Sequence, residues 1–185
     1  MTAAIIKQHP PNLLTRNLVR SLQPPEQFAA YALAYLDSAQ RLCTTLAVSH
    51  KKATFERGAV VLYLTAHAVE LFLKGAILRK APKEHFSHDL EHLHNRYKAL
   101  YPETRFRFSK VPFKTEYLGM NKAENASTKQ SQPAVDQLYR YPEDKKGKPW
   151  IALLGFEASG YSKELTVLRA DFERLLRLYG GNLHA

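Results

Sequence analysis

The chain has 185 residues, of which 45% are hydrophobic and 11% aromatic, a composition typical of a globular fold and outside the charge-rich disordered class. Lys and Arg number 27 against 17 Asp and Glu, and the resulting net charge of +10 favours polyanionic partners such as nucleic acid. The single cysteine excludes an intramolecular disulfide and any multi-cysteine zinc site. Because the first residues lack the pattern of a secretory leader, we expect a cytoplasmic protein.

The first third of the chain predicts an arm followed by two long helices. Residues 1–23 show little periodicity and predict an extended N-terminal arm. A proline pair at Pro24 opens the first helix, whose apolar residues recur at helical spacing until about Ser49. The central helix is predicted from about Thr54 to Lys80, where a proline follows shortly after.

Two more helices are predicted further along. Ser87 is expected to cap the third helix, which ends near Pro102. The last helix is predicted to begin around Ser162 and to end at Gly180. The pattern therefore predicts a mainly α fold, an up-and-down bundle of four or more helices, in a single domain that covers residues 1–185.

A region of different character, residues 103–158, separates the third and last long helices. Basic and aromatic residues alternate over residues 105–108, which predicts a short strand. Residues 138–142 and 149–154 flank a polar run with a glycine, a pattern that suits a hairpin turn. We therefore expect a small antiparallel β insertion together with loops.

The central helix carries a polar stripe on an otherwise apolar surface. His67, Glu70 and Lys74 share one face at helical spacing, with Tyr63 one turn earlier, and Leu71 is expected in the core opposite them. Three ionisable groups argue against a membrane span, so no membrane is expected. In one interpretation Glu70 pairs with Lys74 and His67 bonds a neighbouring helix. In the other, the stripe lines a ligand or RNA cleft with Glu70 as its acidic element.

A second candidate surface lies between residues 105 and 150, where ten positive side chains outnumber five negative ones and aromatic residues are interleaved. Single-stranded nucleic acid is bound by this kind of charged track with stacking faces. In the alternative interpretation, strand alternation sends the aromatic rings to the core and the arginines to water. The candidate binding residues of this segment are Arg105, Arg107, Lys110 and Arg140.

Other local chemistry is sparse. The chain contains no phosphate-cradling glycine loop, Gly-x-Ser-x-Gly elbow, dinucleotide fingerprint or His-Glu-x-x-His motif. His88 and His92 lie four residues apart and could share a metal ion, but the stronger interpretation makes them solvated or capping residues. We therefore predict neither a metal site nor a cofactor, and retain His88 as a candidate binding residue.

The runs AHAVELFLKGAIL at residues 66–78 and HDLEHL at residues 88–93 resemble the HEPN superfamily of prokaryotic helical domains. The resemblance implies a helical bundle that commonly dimerises and that acts on or binds RNA or nucleotides in toxin–antitoxin, defence and stress systems. Ribonuclease members carry Arg, four to six residues and then His on a late helix. The last predicted helix ends at Gly180 and has no histidine before His184, so His184, although six residues separate it from Arg177, is not taken as the family's helical pair. The formal match retained as a candidate is Arg79 with His85, on the loop before the third helix.

Three functional hypotheses follow. The leading one is a HEPN-like RNA- or nucleotide-binding protein, non-catalytic and homodimeric. The second is a metal-independent ribonuclease that uses a non-standard pair, either Arg79 with His85 or residues of the stripe. The third is a protein–protein interaction scaffold or antitoxin-like protein whose partner is encoded nearby.

Overall fold

A computed structural model of the chain describes residues 17–49, 51–110, 123, 127, 139–141, 143, 146–147 and 156–180. The helices are α1 (Asn17–Arg20), α2 (Pro24–Val48), α3 (Phe55–Lys80), α4 (Leu90–Leu100) and α5 (Ala158–Leu178), with a 3-10 turn at Thr104–Phe106. The prediction of a mainly helical fold is confirmed, and α2 to α5 are the four predicted helices.

The helices form one bundle around α3. This helix packs against α2 and α4, while α5 packs mainly against α2. It contributes more buried residues than any other described helix, which confirms the prediction for the central helix. Aromatic rings link α3 to α5, because Phe72 stacks on Phe172 with ring centroids 4.0 Å apart and Phe108 meets both rings near edge-on. The bundle thus shares one hydrophobic core.

Among the described residues, α3 is the one helix long and apolar enough to cross a membrane by length and composition. Its most apolar window is 72% buried by the rest of the protein. A central helix in a bundle shows the same burial, because most of its surface faces neighbouring helices.

Gly75 lets α2 approach α3 closely, and we expect Gly75→Ala to destabilise the protein. A Cβ atom at this position would lie 3.0 Å from the carbonyl oxygen of Pro25 and 3.0 Å from Cβ of Phe28. In an unobstructed helix the same change adds up to about 1 kcal/mol of stability, but overpacking against backbone costs about 1 to 3 kcal/mol. Urea unfolding measures the difference, and a gain in stability would contradict the close approach.

The strand predicted over residues 105–108 is wrong. Residues 104–106 form a 3-10 turn, in which the amides of Phe106 and Arg107 donate to the carbonyls of Glu103 and Thr104. The side chains nevertheless point as the alternative interpretation of this segment predicted. Phe106 and Phe108 are buried, and the arginines between them are exposed. Within the described residues no strand occurs, and the hairpin predicted over 138–154 lies mostly outside them.

Side chains of α5 replace the missing strand partner. The guanidinium of Arg174 donates to the carbonyl oxygens of Arg105 and Arg107 at 2.5 and 2.6 Å. The buried carboxylate of Asp171 accepts from the amide and the hydroxyl of Ser109 at 2.6 and 2.8 Å. The backbone groups of this segment are therefore satisfied without a β ladder, which explains why alternation alone predicted the wrong element.

Several element ends also differ from the predictions. Residues 17–20 of the predicted extended arm are helical, and residues 1–16 lie outside the described part. Asp89, not Ser87, caps α4, because its carboxylate accepts from the amides of Glu91 and His92. The last helix begins four residues before Ser162, since the carboxylate of Glu157 caps its first turn.

The position predicted for Leu71 also needs correction. Leu71 is only partly buried, whereas its neighbours Phe72 and Leu73 are almost fully enclosed. The apolar circumference of α3 did not reveal which of its sides the other helices cover. The core positions on which truncation has the largest effect are therefore Phe72 and Leu73, not Leu71.

Candidate functional site

The site begins with an acidic residue inside the bundle. Glu70 is 4% exposed on the most buried helix, and a carboxylate in such a place must be paired or protonated. Its partner on the same helix is Lys74, also buried, whose Nζ donates to Oε1 of Glu70 at 2.6 Å. The pairing of Glu70 with Lys74 was one of the two outcomes expected from the stripe.

Two imidazole rings complete the surroundings of this carboxylate. Nδ1 of His88, in the loop before α4, lies 2.9 Å from Oε1 of Glu70. Nδ1 of His67, one turn earlier on α3, lies 3.5 Å from Oε2. Burial by itself would raise the pKa of Glu70, but the hydrogen bonds from His67 and Lys74 outweigh it and lower the pKa to about 2. The carboxylate is therefore ionised at any physiological pH.

One interpretation of the stripe expected His67 to hydrogen-bond a neighbouring helix. Among the described residues, His67 makes no such bond. Its ring instead packs edge-on against Tyr35 of α2, with centroids 4.5 Å apart, and parallel to Tyr63 at 6.0 Å. The ring is thus held by aromatic contacts on two sides while Nδ1 faces Glu70. The described residues offer no hydrogen-bond partner to its Nε2 atom.

A cavity of about 340 Å³ opens beside this cluster, here called the Glu70 cavity. This volume lies within the range of small-molecule sites, which starts near 300 Å³. The residues that line it come from α3, from the region around the start of α4 and from the segment before α5: Tyr63, Ala66, His67, Glu70, His88, Leu90 and Arg140. The ion pair expected in one interpretation therefore forms, and the stripe also borders a cavity, whose use for a ligand or RNA stays a prediction.

Arg140 supplies a positive charge to this cavity, and no carboxylate among the described residues forms an ion pair with it. Its guanidinium lies over the ring of Tyr63, 6.0 Å from the centroid, and 5.7 Å from that of Tyr141. Because Lys74 already compensates the charge of Glu70, Arg140 gives the described lining of the cavity an excess of +1 before either imidazole is protonated. The site combines a cation, two imidazoles, an aromatic face and a carboxylate, a set of groups that suits a phosphorylated ligand with a planar base.

Arg79 and His85 are not brought together as a pair. The guanidinium of Arg79 donates to Oε1 of Glu26 at 2.9 Å and lies over the ring of Tyr179, in a separate cavity of about 640 Å³. His85 is exposed in the loop after α3 and lines neither cavity. Within one copy of the chain, the described residues thus do not assemble this pair into a site.

The basic residues of the 3-10 turn and of the residues that follow it, together residues 104–110 and here called the 3-10 segment, lie apart from the Glu70 cavity. Arg105, Arg107 and Lys110 are exposed and do not line it, and Nζ of Lys110 pairs with Glu164 at 2.5 Å. The phenylalanines between them face the core, so they offer no stacking surface. Of the four candidates from the basic region, Arg140 is the one that meets the polar stripe.

A metal centre finds no support in this cluster. His88 bonds Glu70, and no group of three or more His, Cys, Asp or Glu within the described ranges has the geometry to hold a metal ion. His92 is exposed on the first turn of α4. Asp89 is the N-cap of α4, so His88 precedes the helix while His92 lies in its first turn. The four-residue spacing places two side chains on one face only within a helix, and it therefore does not apply to this pair.

Comparisons with protein-family models, with curated proteins and with solved structures found no match to this chain. The site is therefore interpreted from its own geometry.

Sequence reasoning found most members of the cavity but not their arrangement. The stripe named His67, Glu70 and Tyr63 in advance, and His88 and Arg140 were candidates for other reasons. The sequence did not predict that residues 88 and 140 lie beside residue 70, because they are separated from it in the chain and only the tertiary structure brings them together. The one sequence feature that could have indicated a loop residue in contact with α3 was the histidine directly before Asp89, the N-cap residue of α4.

Proposed function

We propose that this protein is a HEPN-like helical bundle that binds RNA or a nucleotide in the Glu70 cavity. The observation that carries the proposal is the position of Arg140 and Tyr63 beside a buried carboxylate and two imidazole rings. The guanidinium offers donors to a phosphate, the phenol ring offers a face to a base, and the imidazoles offer hydrogen bonds to phosphate or ribose.

The resemblance to HEPN domains supports this proposal from a different direction. The Glu-x-x-x-Lys step and the His-Asp-Leu segment that carry it supply Glu70, Lys74 and His88, three residues that contact one another. Binding of this kind does not need the Arg79 and His85 pair. The homodimer, the nearby partner and the cytoplasmic location stay predictions.

Binding is tested with two probes, a nucleoside monophosphate and a short single-stranded RNA. We expect Arg140→Glu to weaken both by about tenfold or more, since it removes a charge-assisted contact worth about 1.5 to 3 kcal/mol and adds repulsion. The matched control reverses Arg105, Arg107 and Lys110 to Glu. That control should weaken only the RNA and flatten its salt dependence, because those residues can reach a strand that extends beyond the cavity.

The outcomes separate the hypotheses. Equal binding of both probes by the parent and by Arg140→Glu would remove the cavity from the account. Loss of RNA binding in the triple variant alone, with no nucleotide binding by any form, would place recognition on the basic segment around Arg105. Failure of the parent to bind either probe at low salt would favour the scaffold or antitoxin-like alternative.

A further inference from the structure

A second cavity opens at the end of the bundle where α3 and α5 finish and α2 begins, and it is here called the Arg79 cavity. Its volume of about 640 Å³ lies well within the range of small-molecule sites. Most of the described lining is apolar: it comes from the prolines that open α2, from Leu78 and Leu178, and from the rings of Tyr101, Phe106 and Tyr179. Only a few charged side chains interrupt this surface.

One of these charged side chains, Glu26 of α2, has a carboxylate oxygen without a donor. Oε1 accepts from the guanidinium of Arg79 at 2.9 Å. Oε2 is, within the described residues, the one buried side-chain nitrogen or oxygen atom that has no hydrogen-bond partner. Buried polar atoms in folded proteins are almost always bonded, so this oxygen indicates a donor that the chain itself does not supply. The side chain as a whole is 34% exposed, and a small turn of the carboxyl group brings Oε2 to a ligand.

Lys80, at the end of α3, offers the opposite charge. Its Nζ atom lies over the ring of Tyr101, 4.6 Å from the centroid, and no carboxylate of the described residues forms an ion pair with it. The cation–π contact holds the ammonium group at the lining of the cavity. Together Arg79 and Lys80 outweigh the charge of Glu26 by +1, so the described lining attracts an anionic group.

We propose that the Arg79 cavity binds a small zwitterion with an apolar side chain, the chemistry shared by short apolar peptides and apolar amino acids. The ammonium group of the ligand donates to Oε2 of Glu26, and its carboxylate accepts from Nζ of Lys80. Both contacts are charge-assisted, and a ligand with only one charge leaves one of the two protein groups without a partner. The Arg79 cavity and the Glu70 cavity share no described lining residue, so this inference does not depend on the proposed function.

The aromatic wall accounts for the apolar side chain of the ligand. The rings of Phe106 and Tyr179 stack with centroids 5.8 Å apart. The hydroxyl of Tyr101 donates to the carbonyl of Ala76, and the hydroxyls of Tyr179 and Tyr97 lie 2.8 Å apart. These hydroxyl groups are therefore satisfied within the protein, and the rings present a fixed apolar surface. A preformed wall lowers the entropic cost of binding, because few side chains must be ordered when the ligand enters.

The experiment uses the full chain and three forms of one dipeptide, phenylalanyl-leucine. The unmodified form keeps both charges, N-acetylation removes the ammonium group, and the C-terminal amide lacks the carboxylate. We expect titration calorimetry on the parent to give an affinity for the unmodified form that is about tenfold or more above that for either modified form, since each modification removes a charge-assisted contact. This comparison needs no substitution, so it holds even if a variant fails to fold.

Free phenylalanine, with its own N-acetyl and amide forms, distinguishes the two sources of the ligand. It carries the same two charges on a smaller body. Tighter binding of the dipeptide identifies a short peptide as the ligand, and binding of phenylalanine at least as tight identifies a free amino acid. Either result supports the proposal when both modifications weaken binding.

Two substitutions assign each charge of the ligand to its residue. We expect Glu26→Gln to bind the unmodified and N-acetyl dipeptides within about threefold of each other, because the new amide no longer favours an ammonium group. Lys80→Met should bind the unmodified and amidated dipeptides within about threefold of each other, because it lacks the cation for the carboxylate. Lys83→Met removes an exposed lysine that does not line the cavity, and this matched control should keep both preferences. A partly unfolded variant would bind all three forms more weakly and would not lose one preference alone.

Three results would overturn the proposal. Equal affinity of the parent for all three dipeptide forms would mean that the cavity recognises only the apolar part. Absence of binding by the dipeptide and by phenylalanine at millimolar concentration would leave water as the donor to Oε2 of Glu26. A full preference for the unmodified form in both Glu26→Gln and Lys80→Met would place the binding elsewhere. None of these results bears on the Glu70 cavity, which is tested with a nucleotide and RNA.

Discussion

Replacing Glu70 with Gln should lower the free energy of unfolding by about 3 to 5 kcal/mol, the usual cost of leaving a buried charge without its partner. Lys74 is 7% exposed and loses its ionised partner in this variant, because the amide that replaces the carboxylate carries no charge. Urea unfolding monitored by circular dichroism measures the loss.

Two controls separate this effect from a general loss of polar contacts. The double variant with Met at both Glu70 and Lys74 removes the two charges together and should recover most of the stability, because apolar residues often replace a buried ion pair at little cost. Glu164→Gln breaks the exposed pair with Lys110 and should cost less than about 1 kcal/mol. Equal losses for the buried and the exposed pair would contradict the role of burial.

The same carboxylate should make stability depend on pH in the acid range. Folding lowers the pKa of Glu70 to about 2, compared with about 4.3 for an unperturbed side chain. The stabilisation, about 3 kcal/mol, is fully present above the unfolded value and is lost as the pH falls from there to about 2. The double Met variant is expected to be nearly as stable as the parent at neutral pH and lacks this contribution, so the stability of the parent should fall below that of the variant by up to about 3 kcal/mol on acidification. Parallel curves over this range would contradict the lowered pKa.

Replacing Phe72 with Ala should cost about 3 to 5 kcal/mol, as truncation of a buried aromatic residue usually does. Its ring is 2% exposed, stacks on Phe172 of α5 and meets the edge of Phe108. The variant therefore loses both its own burial and the contact that joins α3, α5 and the 3-10 segment. Thermal and urea unfolding measure the effect.

Phe55, on the same helix, is the matched control for this truncation. It is 52% exposed at the first residue of α3, and Phe55→Ala should cost less than about 1 kcal/mol. Phe72→Leu should retain more of the stability than Phe72→Ala, because it leaves a smaller cavity. Similar losses for Phe55→Ala and Phe72→Ala would mean that the stacked rings do not form the centre of the core.

The helices were predictable because local patterns encode them. Apolar spacing with prolines at Pro24 and Pro82 placed α2 and α3 within about one residue of their observed ends. The caps were less predictable, since Ser87, Asp89 and Glu157 are all competent and the choice depends on which amides a side chain can reach.

The 3-10 segment shows where local pattern fails. The alternation over residues 105–108 correctly indicated which side chains are buried, because that depends on apolar character. It did not indicate the backbone, because the carbonyls of Arg105 and Arg107 find their donor in Arg174 of α5. This guanidinium lies about seventy residues away in the chain. The sequence of residues 105–108 therefore carries no periodic signal that a side chain, and not a neighbouring strand, bonds these carbonyls.

The helical architecture, the buried character of α3 and the polar stripe of His67, Glu70 and Lys74 could all be predicted from the amino-acid sequence, since each depends on neighbours within one helix. Only the tertiary structure decided that His88 reaches Glu70 and that Arg140 lies over Tyr63. It also separated Arg79 from His85 by pairing Arg79 with Glu26. The reason is physical: periodicity follows from the geometry of one helix, whereas a cavity depends on how several segments pack, and packing selects among polar partners that the sequence leaves equivalent.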